Sequence, residues 1–523
     1  MNLLRLFLLT FGLIITVSAS TKKPNVVLII CDDLNDYITG IPGQSGHPQA
    51  KTPNVEKLAQ SGVAFRRAYS NNPVCAPSRA SFLTGIYGHN SNGNEWPKWY
   101  NLPVLKNSKT LMHYFRDNGY EVVGSGKLMH FLKKDEWSKF KNAPDYGPFA
   151  YNGEKNVAHT GVPSPFNSIG PVDGSYGSLE SLAYIHDGNP KTGWVSKQPW
   201  NWTQNPSTKN KQNYLNFSDK GTRSLTPDEA NAKWAAETIQ HYAQQEKSTP
   251  FFLGVGFIRP HTPLHVSQKY FDMFPLATLE NPLIRQNDSD DCHLAENLDE
   301  NSKGLKYFRL LHESYPQWEL GIRAFTQAYL ASVAAVDECI GQVVEAVNNS
   351  PLRDNTIIVL TSDHGWNMGQ KDFLFKNSLW EESTRVPFIV RAPGVTQAGG
   401  IAEHPISLID LYPTLVDLCG LEGDTKKNEN GHDLDGFSVR PFLENPKANS
   451  WDGPEGALTT VSGKHWAIRT KYWRYIRYEN GAEELYNHAN DPCEWVNLAD
   501  NPEFQPEKKK LLTMLLKQAN LAE

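Results

Sequence analysis

Cysteine is scarce in this chain: Cys31, Cys75, Cys292, Cys339, Cys419 and Cys493 are the only six in 523 residues. So few exclude a disulfide scaffold at this length, and their spacings match no zinc motif. Runs of Lys and Arg are missing too, and the formal net charge is −6. That balance argues against a nucleic-acid partner and means that any anionic ligand is met by a local cluster of cations. Long hydrophobic runs are absent as well. The one candidate, Leu6–Val17, follows Arg5, is too short to span a bilayer comfortably, and leads into Val17-Ser18-Ala19 and the polar Thr21-Lys22-Lys23. Residues 1–19 therefore read as a signal peptide, which predicts a secreted or periplasmic protein with no stable membrane anchor. No cysteine near that cleavage site offers a lipid attachment point, and no internal repeat is visible. By contrast Trp (14) and Tyr (21) are plentiful, which suits sugar-binding surfaces and ordinary cores alike.

The remaining chain is long enough for one large core and a smaller unit. Asn25–Cys31 is a continuous apolar run ending in Asp32-Asp33, the pattern of a strand buried on both faces. Helices are expected at Thr52–Gln60, Ser78–Thr84 and Thr110–Asp117, and a strand at Tyr120–Gly124. Thr226-Pro227-Asp228-Glu229 is a capping box with Pro at the first helical position, opening a helix to about Lys247. Phe251–Phe257 returns as a strand. Ile322, Phe325, Tyr329, Val333, Val336, Ile340, Val343 and Val347 recur at intervals of three and four, as one long amphipathic helix requires. Thr356–Thr361 is the next strand and ends in Ser362-Asp363-His364-Gly365; Pro387–Arg391 and a helix at Ser407–Leu418 follow. Strands alternating with helices predict an α/β fold, a mostly parallel sheet sandwiched by helices, with ligands beyond the carboxyl ends of the strands. Both acidic clusters fall at such ends.

Two regions depart from this pattern. Residues 131–225 are rich in Gly, Pro, Asn, Trp and Tyr and read as loops over the site. After Gly436 come short strands at Ala457–Val461, His465–Arg469, Tyr472–Tyr478 and Glu484–Tyr486, with Asn480-Gly481 as a hairpin turn, and a helix at Pro506–Leu521. The expected units are a catalytic domain over 20–436 and a C-terminal subdomain with a small antiparallel sheet over 437–523. Of the five cysteines other than Cys75, at least one must stay unpaired, and Cys31 at its strand end is the candidate.

The most specific segment is Cys75-Ala76-Pro77-Ser78-Arg79-Ala80-Ser81-Phe82-Leu83-Thr84-Gly85. It matches C-x-P-S-R-x-x-x-L-T-G at every defined position and so resembles the signature of the formylglycine-dependent (type I) sulfatases. Arg79 lies one helical turn after Cys75. Lys127 and His130, three apart, are placed to share one helical face. Arg259-Pro260-His261 follows the strand Phe251–Phe257 directly, and Lys376 lies a short loop beyond His364. With these positions the chain resembles the iduronate-2-sulfatase branch of that family over nearly its whole mature length.

The resemblance implies an alkaline-phosphatase-like fold. It further implies that a formylglycine-generating or anaerobic sulfatase-maturating enzyme oxidises Cys75 to formylglycine. The hydrated aldehyde is a geminal diol: one hydroxyl attacks sulfur, and deprotonation of the other then expels sulfate, an exit that serine lacks. Asp32, Asp33, residue 75, Asp363 and His364 are implied ligands of one divalent metal, Ca2+ first and Mg2+ second. Arg79 holds the diol, and Lys127 and Lys376 grip the sulfate. His130 takes the proton when the hemiacetal collapses, and His261, with Lys376, protonates the leaving oxygen. The implied substrate is a sulfated sugar of a glycosaminoglycan or of an algal polysaccharide such as ulvan, carrageenan or fucoidan. Trp96, Trp99, Tyr100, Trp194, Trp200 and Trp202 are the aromatics placed to stack on it. The competing readings are a phosphodiesterase or phosphonate monoester hydrolase of the same superfamily, and a non-catalytic glycan-binding protein.

Overall fold

The computed structural model describes residues 23–522 apart from 42–45, 97, 153–154, 183–200, 205–213, 219–220, 246–248 and 294–301. The expected signal peptide, Trp194 and Trp200 lie outside the described residues.

The main sheet comprises β1 (Asn25–Asp32), β2 (Val63–Phe65), β3 (Glu121–Gly126), β4 (Lys139–Phe140), β5 (Phe251–Pro260), β6 (Thr356–Ser362), β7 (Phe388–Arg391) and β8 (Gly400–Ala402), in the order β8-β2-β7-β6-β1-β5-β3-β4. It is mixed. The centre, β6-β1-β5-β3, is parallel, whereas β7 runs antiparallel to both β6 and β2. Alternation in β1 shows why its sequence is unbroken apolar. Val27, Ile29 and Cys31 enter the core on one face, and Val26, Leu28 and Ile30 enter that on the other.

Register brings the functional ends together. Cys31 pairs with Ser362 of β6, Asp32 with Pro260 of β5, and Gly126 of β3 with Gly256 of β5. The polar residues that stop each strand therefore emerge side by side at one edge.

Helix α1 (Pro53–Ser61), α2 (Cys75–Thr84), α3 (Pro227–Ala243) and α4 (Trp318–Asn348) flank the sheet. All eight apolar positions of the expected stripe in α4 are buried, each contributing roughly 1.5–3 kcal/mol of transfer free energy. The same helix reaches the site. The Tyr329 hydroxyl donates to the Asp33 carbonyl at 2.6 Å and accepts from the Asn35 amide at 3.0 Å, fixing the turn after β1, where Asp33 has φ 63°.

Both halves of the capping box on α3 form: the Thr226 hydroxyl accepts from the Glu229 amide (3.3 Å) and Glu229 accepts from the Thr226 amide (2.8 Å). Thr226→Ala is expected to lower unfolding free energy by roughly 1 kcal/mol, read as a lower urea midpoint at unchanged slope. Asp228 in the same turn accepts from the amides of Ile258 (2.8 Å) and Arg259 (2.9 Å), so the helix start anchors the end of β5.

The C-terminal sheet is an antiparallel meander of β9 (Ala457–Val461), β10 (His465–Arg469), β11 (Trp473–Arg477) and β12 (Glu483–Asn487), covered by α5 (Gln505–Ala519). The β11–β12 turn contains Gly481 at φ +86°, as Asn480-Gly481 required. Between residues 131 and 225 the described parts include short strands, among them Phe149–Tyr151 paired with Asn201–Thr203. Cys31, Cys75, Cys339, Cys419 and Cys493 form no disulfide. Among the described residues, no helix is long and apolar enough to cross a membrane.

Candidate active site

Residue 75 opens α2, directly beneath the carboxyl ends of β1 and β6. The extended Val74 precedes it, and Gly85 ends the helix at φ +72°. The Cys75 thiol lies 3.2 Å from His364 Nε2, 3.2 Å from Lys376 Nζ and 3.9 Å from Asp33 Oδ1. It is about 1% exposed, and burial raises its pKa. The Ser78 hydroxyl, one turn on, donates to the Asp363 carbonyl at 2.6 Å and fastens the helix start to the end of β6.

Arg79 spends all five donors here. Its Nε donates to Asp363 Oδ2 (2.8 Å), and one terminal nitrogen donates to Asp32 Oδ1 (3.1 Å) and the Cys31 carbonyl (3.3 Å). The other donates to the carbonyls of Lys127 and Leu128. The guanidinium is wholly buried, so these bonds replace its hydration and join β1, β6 and the segment after β3.

Two buried lysines face the carboxylates. Lys376 Nζ sits 2.8 and 3.0 Å from the two oxygens of Asp33, and Lys127 Nζ contacts Asp32 Oδ2. The Tyr146 ring lies 4.8 Å from the Lys127 ammonium, a cation–π contact that the sequence did not signal. Burial pushes the Asp33 carboxyl up to about 8 against the pull of Lys376. Asp32, which burial alone would also raise, is held well below the usual carboxylate range by Lys127, His261 and Arg79. Both ammonium groups, although desolvated, are held above the ordinary lysine value, Lys127 chiefly by Asp32 and Lys376 chiefly by Asp33.

The expected helical face for Lys127 and His130 does not exist. Both lie in a bend after β3, because Gly126 at φ +81° turns the chain sharply. A Cβ there would overlap the carbonyl oxygen of Gly256, so the close approach of β5 requires glycine. Lys127 is buried, whereas His130 is half-buried, with no hydrogen-bond partner for Nδ1 among the described residues and the Trp96 ring 4.8 Å away. Burial, then Lys127, lower His130 to about 4. His261 Nε2 is 3.8 Å from Asp33 Oδ2, and its Nδ1 donates to the Thr262 carbonyl. Burial and Lys376 hold its pKa well below the usual histidine range.

The donors fit a hard divalent cation. One ligand atom each from Asp32, Asp33, Cys75 and His261 lies within 4.8 Å of the others, and the same holds for Cys75, Asp363 and His364. His364 Nδ1 donates to the Gly365 carbonyl at 3.1 Å. Its Nε2 lies 3.5 Å from Asp33 Oδ1 and 3.7 Å from Asp363 Oδ2. Carboxylate oxygens converging with one imidazole nitrogen make a coherent ligand set for such a cation. The structure thus brings together all ten residues singled out in the sequence, His130 at the rim.

The aromatics divide. Trp96 is 53% exposed beside His130, but Trp99 and Trp202 are buried and serve as core. Trp202 packs against His265 and Phe217, and the Trp99 indole donates to the Phe131 carbonyl; neither face is open to a sugar.

A mixed, mostly parallel α/β sheet flanked by helices, with a carboxylate-rich nest at its strand ends and a small antiparallel sheet appended, is an alkaline-phosphatase-like fold. The chain matches the family model described as Sulfatase over residues 24–421, and that of N-sulphoglucosamine sulphohydrolase, C-terminal, over 369–520; it belongs to the sulfatase family. It is 32% identical to a sulfatase of Formosa agariphila, across 96% of this chain and 88% of that one. It is 25% identical to iduronate 2-sulfatase of Homo sapiens, across 77% and 70%. The fold also superposes on phosphonate monoester hydrolase from Silicibacter pomeroyi with a TM-score of 0.67 at 20% identity, covering 94% of each chain. The protein is a sulfatase, a sulfuric ester hydrolase.

Proposed function

We propose that this sulfatase removes sulfate from a sugar of an acidic polysaccharide or its oligosaccharides, with formylglycine made from Cys75 as nucleophile. The observation that carries the reading is the meeting of residue 75, three carboxylates and two buried lysines at one edge of the sheet. Likeness to an iduronate sulfatase over most of the chain supports the sugar. An exposed Trp96 at the rim supports it as well, since a flat ring suits the apolar face of a pyranose.

Asp32, Asp33, residue 75, Asp363 and His364 would hold one divalent cation, Ca2+ first and Mg2+ second. When bound, it supplies charge that stabilises an ionised nucleophile and the sulfate oxygens. The chain's own residues do the rest. Arg79 keeps Asp32 and Asp363 apart and oriented. Lys127 and Lys376 offer two ammonium donors to an anionic sulfate, which pairs with them in place of the carboxylates they now touch. His130, unprotonated near neutral pH, accepts a proton on the open side. His261 meets the leaving oxygen, and a sulfate anion beside it favours the imidazolium that donates. The carboxylates of the nest are fully buried, which strengthens each of these interactions.

The precursor is exported, and a maturation enzyme of the formylglycine-generating or anaerobic type acts on Cys75. Lys376→Ala is expected to lower kcat/KM on an aryl sulfate by about 10²-fold; an unchanged rate would assign Lys376 a purely structural part. The central test assays matured enzyme against defined sulfated oligosaccharides, an aryl sulfate and an aryl phosphate diester. Release of sulfate from one oligosaccharide class above all others is the expected result. Preference for the diester would overturn the reading in favour of a phosphodiesterase. Glycan binding without sulfate release would leave a non-catalytic binding protein.

A further inference from the structure

The loop that carries Lys376 is tied to the C-terminal sheet immediately afterwards. The Leu379 carbonyl accepts from Arg474 at 2.7 Å, and the Trp380 indole donates to Glu484 Oε2 at 2.9 Å. The Glu381 amide donates to Glu494 Oε2 at 3.0 Å. The Glu381 carboxylate is gripped by Arg469 and Arg474, and Tyr69 donates to it at 2.9 Å. Arg474 also pairs with Glu494, which His488 Nε2 meets at 2.9 Å. Glu484 gathers four donors: the Tyr478 hydroxyl and the His293 amide on Oε1, each at 2.8 Å, and Trp380 and the Tyr486 hydroxyl on Oε2, each at 2.9 Å.

This is an unusual amount of buried charge for a structural seam. Arg474 and Glu484 are both fully buried, and Glu381 and Glu494 nearly so. Each group is desolvated, and hydrophobic residues of like volume serve stability as well or better. Fixed geometry is what a satisfied polar network adds. The residue whose geometry it fixes is close by: Leu379 is three residues from Lys376, within roughly 11 Å of extended chain. Next to Lys376, the Asn377 amide donates to the Pro73 carbonyl at 3.1 Å, which links the loop to the segment entering α2. The chain leaving Lys376 is thus tied first to the nucleophile's own segment and then to the C-terminal sheet.

We propose that Arg474, Glu484 and Glu494 are positioning residues for catalysis: through Leu379, Trp380 and Glu381 the C-terminal subdomain sets the place of the Lys376 ammonium over residue 75 and Asp33. The inference rests on the reading of Lys376 as a sulfate-gripping group. It gives the C-terminal subdomain a part in turnover although the residues proposed to touch sulfate all come from the preceding chain.

Glu484 provides the control, because two donors share one of its oxygens. Trp380→Phe removes the donor on the Lys376 loop, whereas Tyr486→Phe removes the donor within the sheet. With an aryl sulfate as substrate and inorganic sulfate as inhibitor, Trp380→Phe is expected to lower kcat/KM about tenfold and to raise the inhibition constant of sulfate, since small misplacements are costly. Tyr486→Phe is expected to stay within about twofold of the parent. In a Lys376→Ala background, Trp380→Phe should cost little more, because both changes act through one group. Equal effects of the two aromatic changes, or an undiminished tenfold loss on Lys376→Ala, would overturn the proposal. If Trp380→Phe does not accumulate, Arg474→Lys replaces it in the same cycle, keeping the charge while losing the bond to Leu379. A Lys376→Ala enzyme of parental rate would instead defeat the reading beneath; an impaired Lys376→Ala with an unaffected Trp380→Phe defeats only the tether.

Discussion

Cys75→Ala is expected to leave no measurable turnover, a fall on the order of 10⁴-fold or more, as for loss of a covalent nucleophile elsewhere. Sulfate esters cleave very slowly unaided, so the site must lower the barrier by on the order of 20 kcal/mol. Lysines, arginine and a cation still stabilise charge when the nucleophile is gone, but they have nothing to deliver to sulfur. Cys75→Ser is the sharper variant. Serine restores a hydroxyl at the same place, between His364 and Lys376, and it lacks the second hydroxyl whose deprotonation expels sulfate. It should bind substrate and at most react once. Multiple turnovers by either variant in a steady-state aryl sulfate assay would end the formylglycine hypothesis. The unmodified thiol is not a substitute, because it too lacks the second hydroxyl whose deprotonation expels sulfate.

Arg79→Ala is expected to be the most damaging change to the fold of the site. Truncation removes the guanidinium from between the buried Asp32 and Asp363, leaving Asp32 to Lys127 and Asp363 to the amides of Asp33 and His364, and takes a donor from the carbonyls of Cys31, Lys127 and Leu128. Removing one partner from a buried ion pair typically costs about 3–5 kcal/mol. The variant should show a lower chemical-denaturation midpoint and weaker divalent-metal uptake as well as lost activity. Lysine does not rescue it, since an ammonium has three donors on a flexible stem where a planar fork of five is used. A stable, metal-loaded Arg79→Lys enzyme would show that charge alone suffices here.

Much of this site was legible because the chain marks strand ends plainly. Asn25–Cys31 and Thr356–Thr361 are unbroken apolar runs that stop at Asp32-Asp33 and Asp363-His364, and parallel register puts such stops side by side. The C-x-P-S-R signature gave residue 75 and Arg79 directly. Lys127 and His130 were placed correctly near the site but for the wrong local reason. Their spacing of three suits a helix, and the decisive signal was Gly126, whose turn follows from a tertiary approach by β5. Trp99 and Trp202 show the limit of composition, because an indole in a Gly- and Asn-rich stretch packs inward as readily as it meets a sugar. Antiparallel β7 was not visible, since a short apolar run does not declare its direction. The tether escaped notice altogether. Arg474 and Glu484 sit in alternating strand patterns that read as solvent-facing, and only the docking of one sheet against the Lys376 loop buries them.

The depth of residue 75 has a consequence for how the enzyme comes to be made. Its sulfur is enclosed by groups from β1, β6 and the Lys376 loop, which meet only once the sheet is assembled. A second protein large enough to carry out an oxidation cannot reach that atom in the finished fold. On the proposed chemistry, the modifying catalyst must read Cys75-Ala76-Pro77-Ser78-Arg79 as an extended peptide, before helix α2 winds and the sheet closes. Active enzyme yield is then a race between modification and folding, and slowing the chain's collapse should raise the active fraction without altering a single contact in the native state.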